Sequence, residues 1–219
     1  MIGLIPASGS ASRMGGLPKF ALPCDENNLT LLQRNVDLMK TVTTKIIVCT
    51  TQKWVTLIDS LNLDIELEIE STSTMNSAIL SMVSRHDSDK YLVGMSDIYY
   101  LGENPYIRLS ESIIDYEFSV ACWKLDSDLK GRVGQVKMTD NQLEDLVDKN
   151  PSCAYKFMWG ALAFKREIIQ TIDPKNPHIG IDLLSFIKKS NHFAFEVQGK
   201  YFDIGTMSSY KRLLNTLID

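Results

Sequence analysis

Gly3-Leu4-Ile5-Pro6-Ala7-Ser8-Gly9-Ser10-Ala11-Ser12-Arg13-Met14-Gly15-Gly16-Leu17-Pro18-Lys19 is the stretch on which the reading of the fold turns. Its apolar beginning, Gly3 to Ala7, reads as the end of a buried strand. The strand breaks into a loop of small residues that also carries two cations, Arg13 and Lys19. Small side chains let backbone N–H groups approach an anion closely, and the cations add fixed positive charge. A triphosphate suits that combination. Two better-known glycine loops fit badly. Five places after Gly9 stands Met14, with no Lys-Ser/Thr behind it as a Walker-type loop requires. A dinucleotide fingerprint from Gly9 would need glycine where Ala11 and Met14 stand.

Working outward, the first half alternates helix and strand signals. Thr30 to Lys40 repeats Leu31, Leu32, Val36 and Met39 at helical spacing, with Thr30 as N-cap and Gln33 three residues on, a capping box. A β-branched run covers 44–50, and 63–69 alternates apolar and acidic residues as an edge strand does. A helix is predicted over 74–86, its opening capped by Ser73 or left free for a ligand. A central strand follows, Tyr91 to Met95, ending at Ser96-Asp97. Strands alternating with helices predict a parallel sheet covered on both faces, with ligands beyond the strand C-terminal ends. The Gly9 loop and Asp97 both fall there.

Beyond Phe118 the pattern predicts strands over 118–123, 134–138, 143–147 after an Asp140-Asn141 turn, 155–164 and 193–197. Helices are expected over 165–172, 179–188 and 207–217. Pro174 to His178 reads as a flexible loop suited to a lid. No repeat or linker interrupts the chain, so one domain over 1–219 is expected, with a nucleotide-binding half (1–117) and an acceptor-binding half (118–219).

Composition narrows the partners. The 219 residues are 44% hydrophobic and 23% charged, as in a soluble globular protein. A net charge of −4 argues against bulk binding of nucleic acid, and no apolar stretch is long enough to span a bilayer. The apolar N-terminus lacks a basic lead and feeds a functional loop, so it does not read as a signal peptide. Cys24, Cys49, Cys122 and Cys153 lie far apart without a Cys-x-x-Cys pair, which points away from zinc and disulfides and towards a reducing cytoplasm. His86, His178 and His192 are isolated between polar neighbours and read as surface residues.

The N-terminal loop, Gly9-Ser10-Ala11-Ser12-Arg13-Met14 with Pro18-Lys19, resembles the signature of the sugar-phosphate nucleotidyltransferases, where a strand leads into Gly-x-x-x-Arg-Met/Leu and then Pro-Lys. Phe202-Asp203-Ile204-Gly205-Thr206, followed by Ser208, Ser209 and Tyr210, resembles the family's closing motif. The resemblance covers the chain from the Gly9 loop to the last helix. It implies a three-layer α/β/α Rossmann-like fold with a mixed, mostly parallel sheet of the GT-A-like kind. It also implies an enzyme that joins a nucleoside triphosphate to a phosphorylated small molecule and releases pyrophosphate, with Mg²⁺ as cofactor.

Residue by residue, the resemblance implies Arg13 and Lys19 on the triphosphate as catalytic cations, and Ala7, Ser8, Gly9 and Ser10 around the nucleotide. Asp97 and Asp203 would hold the metal, although Gly94-Met95-Ser96-Asp97 has two residues inserted into the family's Gly-Asp. Asp148-Lys149-Asn150-Pro151 resembles Val-Glu-Lys-Pro, placing Asp148 on acceptor hydroxyls and Lys149 on the acceptor phosphate, with Asp in place of Glu and an extra Asn. Trp159 and Gly160 resemble the strand beneath the acceptor, with Met158 where the family has Asn; Trp159 could stack on a sugar or face a quaternary amine. The base-reading segment is the poorest match, and only Ser73, Thr74 and Asn76 offer hydrogen bonds there. Uridine, thymidine and cytidine nucleotides remain open, as do a sugar phosphate and phosphocholine as acceptor. A role in polysaccharide or lipid assembly and association into homo-oligomers accompany the family. Two rivals stay in view. One is a glycosyltransferase of similar fold, disfavoured because Met95-Ser96-Asp97 lacks a first acid; the other is a regulatory nucleotide binder without catalysis.

Overall fold

A computed structural model describes residues 1–9 and 14–218; Ser10, Ala11, Ser12, Arg13 and Asp219 lie outside the described residues. Four parallel strands form the first half of the sheet: β1 (Ile2–Pro6), β2 (Lys45–Thr50), β3 (Glu66–Ile69) and β4 (Lys90–Val93). The second half adds β6 (Phe118–Lys124), β7 (Gly134–Thr139), β8 (Gln142–Asp148), β9 (Phe157–Lys165) and β10 (His192–Glu196). These nine strands make one mixed sheet in the order β10-β6-β9-β4-β1-β2-β3, with the β7–β8 hairpin attached to β9. β9 runs antiparallel between β4 and β6 and so joins the halves edge to edge.

Side-chain alternation along the strands builds two cores. Ile5 faces one with Val36 and Met39 of α1 (Leu31–Lys40), Ile58 of α2 (Val55–Asp59) and Tyr106 and Leu109 of α4 (Pro105–Ser112). Ile2 and Leu4 face the other with Ala78, Ile79 and Met82 of α3 (Met75–Arg85) and Leu183 and Phe186 of α5 (Leu183–Lys189). The result is the expected three-layer α/β/α arrangement. The capping box at Thr30 is present: Gln33 N–H donates to the Thr30 hydroxyl and Thr30 N–H to the Gln33 side chain.

β1 receives β2 on one side and β4 on the other. The chain leaves β1 for β2 and returns by way of α3 to β4, so the sheet changes direction between β1 and β4. A crevice opens at such a point beyond the strand ends, and the loops after β1 and β4 both border it.

Several expectations are corrected. Two strands went unassigned, β5 (Ile98–Gly102) and β11 (Gly199–Asp203), which pair antiparallel as a separate ribbon under α6 (Met207–Ile218). Their aromatic side chains, Tyr99, Tyr100, Tyr201 and Phe202, are buried on both faces, so no alternation betrays them. The segment expected as a helix over 165–172 is a 3-10 turn, Arg166–Thr171, because β9 continues through Lys165. The helix expected from Ile179 begins at Leu183, after a turn in which Asp182 N–H donates to the Ile179 carbonyl. Thr74, not Ser73, caps α3, in a second capping box with Ser77. The three histidines are not freely exposed. His192 is buried and accepts from Leu143 N–H, and His86 sits between Glu66 and Glu68.

Candidate active site

β1 ends on a fully engaged rung: Ala7 N–H donates to the Cys49 carbonyl and the Ala7 carbonyl accepts from Thr50. Ala7 is buried and has no free backbone group, so of the residues expected around the nucleotide it shapes the loop rather than facing it. Ser8 and Gly9 line an open cleft of about 430 Å³ with Thr72, Ser73, Thr74, Met95, Ser96 and Asp97. The Ser8 and Thr72 hydroxyls are 3.3 Å apart across it. Past Met14, Gly15 and Gly16 both take positive φ, which turns the loop back towards Pro18. Lys19 then opens a short 3-10 turn pinned by Phe20, whose ring packs edge-on against Trp54.

Lys19 Nζ lies 2.8 Å from Oδ2 of Asp97, which itself lines the cleft. Asp97 itself is held by its backbone, which accepts from Ile204 N–H at 3.1 Å, while Asp203 pairs in register with Ile98. The backbones of Asp97 and Asp203 therefore lie side by side at one end of the β5–β11 ribbon. Both charges reach the Tyr201 phenol, which stands well above its ordinary pKa through burial first and then through Asp203 and Asp97. The two residues inserted before Asp97 have a packing reason. A Cβ on Gly94 would meet the Tyr106 hydroxyl at 2.4 Å and the Met39 methyl at 2.7 Å, so Gly94 serves the core, and Met95 and Ser96 stand between it and Asp97. The expected Ser10 and Arg13 contacts lie outside the described residues.

The donor set suits Mg²⁺, which takes one or two carboxylates and leaves its other positions to phosphate oxygens and water. Among the described residues no cluster of three or more His, Cys, Asp or Glu could hold a metal alone. Two acids beside a phosphate loop match the open kind of site.

The base-reading residues divide. Thr74 lines the cleft, but its hydroxyl donates to the Pro174 carbonyl and accepts from Ser77 N–H. Asn76 is fully buried, its amide donating to the Asp173 carbonyl and the Asp182 carboxylate, so it is not placed to read a base. Only Ser73 of the three keeps its side chain uncommitted among the hydrogen bonds described. Sequence reasoning missed Thr72, Met95, Ser96 and Pro177, which complete the cleft.

Among the residues expected to meet the acceptor, Asp148 ends β8, opposite Gly134 of β7. Lys149 turns with positive φ, its ammonium 3.8 Å from Asp148 and more than half exposed. His178 Nε2 stands 3.2 Å from Asp148 Oδ2. Trp159 is 7% exposed and belongs to the core: a Cβ on Gly134 or Gly180 would fall 2.3–2.4 Å from its indole. No open face remains for stacking or for a cation. Gly160 is likewise a packing residue, since a Cβ there would meet Tyr201 at 2.3 Å and Trp123 at 2.7 Å. The loop 174–178, expected to be flexible, is fastened to the start of α3, where Met75 N–H donates to the Pro177 carbonyl.

Residues 3–166 match the MobA-like NTP transferase domain, three-quarters of the chain, and the protein belongs to that family. It is by family a nucleotidyltransferase. Among solved structures, UDP-glucose pyrophosphorylase complexed with UDP-glucose superposes with a TM-score of 0.83 at 15% identity, over 99% of this chain and 98% of its own. HddC from Yersinia pseudotuberculosis gives 0.73 at 21% identity, over 98% of both chains. The inositol-1-phosphate CTP transferase from T. maritima gives 0.76 at 12% identity, over 100% of this chain and 96% of its own. These likenesses establish the GT-A-like nucleotidyltransferase fold over the whole chain. No curated protein matches in sequence.

Proposed function

We propose that the protein transfers a nucleoside monophosphate from an NTP to a sugar phosphate in a Mg²⁺-dependent reaction within one domain. The observation that supports this reading is the meeting of Ser8, Gly9 and Asp97 on one cleft, with Lys19 2.8 Å from Asp97 and Asp203 on the adjoining strand. An acceptor phosphate oxygen forms a new bond to the α-phosphorus while the bond to the β-phosphate bridging oxygen breaks. Pyrophosphate leaves with that electron pair. The barrier is chiefly charge, since two anions meet and more charge gathers on the leaving group.

Backbone N–H groups at Ser8 and Gly9 would cradle the phosphates, and Lys19, with Arg13, would offset charge on the α-phosphate and the departing pyrophosphate. Asp97 and Asp203 would hold the Mg²⁺. Bound there, the ion supplies Lewis-acid polarisation of phosphate oxygens. Asp148 would take acceptor hydroxyls and Lys149 the acceptor phosphate. A phosphocholine acceptor is disfavoured because the indole of Trp159 lies in the core instead of forming a cation box. Among the described residues no helix is long and apolar enough to cross a membrane. The four unpaired, buried cysteines support a reducing compartment such as the cytoplasm.

Asp203→Ala and Lys19→Ala test the assignment together. Each should lower pyrophosphate release by at least about a hundredfold while the protein still melts cooperatively. Wild-type rates from either variant would refute the role given to it.

A further inference from the structure

Asp148, Trp159 and His178 come from three separate segments and meet at one spot. There they leave buried polar atoms without hydrogen-bond partners among the described residues: Asp148 Oδ1, both ring nitrogens of His178, and Trp159 Nε1. His178 Nε2 is 3.2 Å from Asp148 Oδ2, and the His178 ring lies 6.1 Å from that of Trp159, but no nitrogen is aligned to donate or accept. Buried polar groups are almost always paired. Trp159 Nε1 is packed against Gly134 and Gly180, but the unpaired atoms of Asp148 and His178, side by side, mark a position where a polar ligand completes the pairing.

We propose that His178 is a specificity-determining residue for the acceptor, an inference that rests on the reading of Asp148 as the acceptor's hydroxyl partner. In this arrangement the imidazole covers Asp148, with side-chain exposures of 16% and 25%, and acceptor hydroxyls replace that contact. Each ring nitrogen and Asp148 Oδ1 then gains a partner, which an acceptor lacking hydroxyls cannot provide.

The position of the ring is set from the nucleotide side. Pro177 lines the nucleotide cleft and its carbonyl accepts from Met75 N–H, while the next residue, His178, reaches Asp148. The loop is held by Asp182, whose carboxylate accepts from Asn76 and Asn176, and by Asn76, which also donates to the Asp173 carbonyl. Asn76 and Asp182 are therefore positioning residues. The two substrate subsites meet at the single peptide bond between Pro177 and His178.

The test is steady-state pyrophosphate release with a panel of sugar 1-phosphates, comparing wild type with H178A, H178F and H178Q. H178F keeps a ring of similar size without the nitrogens and decides the matter if H178A does not fold. The acceptor KM should rise about tenfold or more in H178A and H178F, with the NTP KM within about twofold. H178Q should recover part of the loss, because its amide retains a donor and an acceptor. A purely structural role would lower the melting temperature and move both KM values together. Wild-type turnover with an unchanged acceptor KM in H178F would overturn the inference alone. Wild-type silence towards every NTP and acceptor would overturn both the reading and the inference built on it.

Discussion

Lys19 has two claims on its charge. Its ammonium lies 2.8 Å from Asp97, and a triphosphate entering beside Ser8 and Gly9 would compete for it, while a metal would compete for Asp97. Both side chains are partly open to water, so their mutual attraction adds little to stability and is readily exchanged. The cysteines illustrate the opposite case. Burial above all pushes the Cys24 thiol up to about 12 and the Cys49 thiol up to about 11, from 9.0. Arg34 partly opposes the shift at Cys24, and Glu68 and Glu70 add to that at Cys49. Below pH 9 folded and unfolded chains both keep these protons, and the contribution to stability is intact. Above it the unfolded chain releases them first, so stability falls as pH rises through the window from 9 to about 11 or 12. The urea midpoint should drop across that range, with the thiols unreactive to alkylation until the chain unfolds. A midpoint that held steady or rose would show that these thiols are not shielded.

The elements legible in the sequence were those with a periodic face or a cap. α1 and α3 carry apolar stripes, α1 with its capping box, and β1, β2 and β4 are apolar runs bounded by turns. β5 and β11 were not legible, because residues such as Tyr99 and Phe202 are buried by a second strand and a helix contributed from far along the chain. The residues of the proposed site divide along the same line. Lys19, Asp97 and the Gly9 loop follow strands and could be placed locally. Asn76 and His178 could not, since their surroundings depend on the loop 173–182 folding back onto α3. Asn76 puts that dependence to the test. Removing its amide with Asn76→Ala takes a donor from the buried Asp182 carboxylate and should cost about 3 kcal/mol in urea unfolding. A loss below about 0.5 kcal/mol, accompanied by a higher NTP KM, would return Asn76 to the role of base reader.

At the scale of the molecule, neither half of the chain holds all of the proposed site. Ser8, Gly9, Lys19 and Asp97 come from the first half, and Asp203, Asp148 and His178 from the second. β9 binds the halves into one sheet, and the Ile204 N–H bond to Asp97 ties their two carboxylate strands together. The chain as a whole is acidic, at −4, so the phosphates must be met by local cations and backbone N–H groups rather than by a general field. The family match ends at residue 166, before Asp203 and His178, so the C-terminal part of the site rests on geometry.

Pyrophosphate release tests the central claim most directly, measured with the four ribonucleoside triphosphates and dTTP, each against sugar 1-phosphates and phosphocholine, with Mg²⁺ and with a chelator. The account predicts release from at least one NTP paired with a sugar phosphate, abolished by chelation. Silence from every pair, while a nucleotide still raises the melting temperature, would contradict it and leave a protein that binds nucleotide without transferring it.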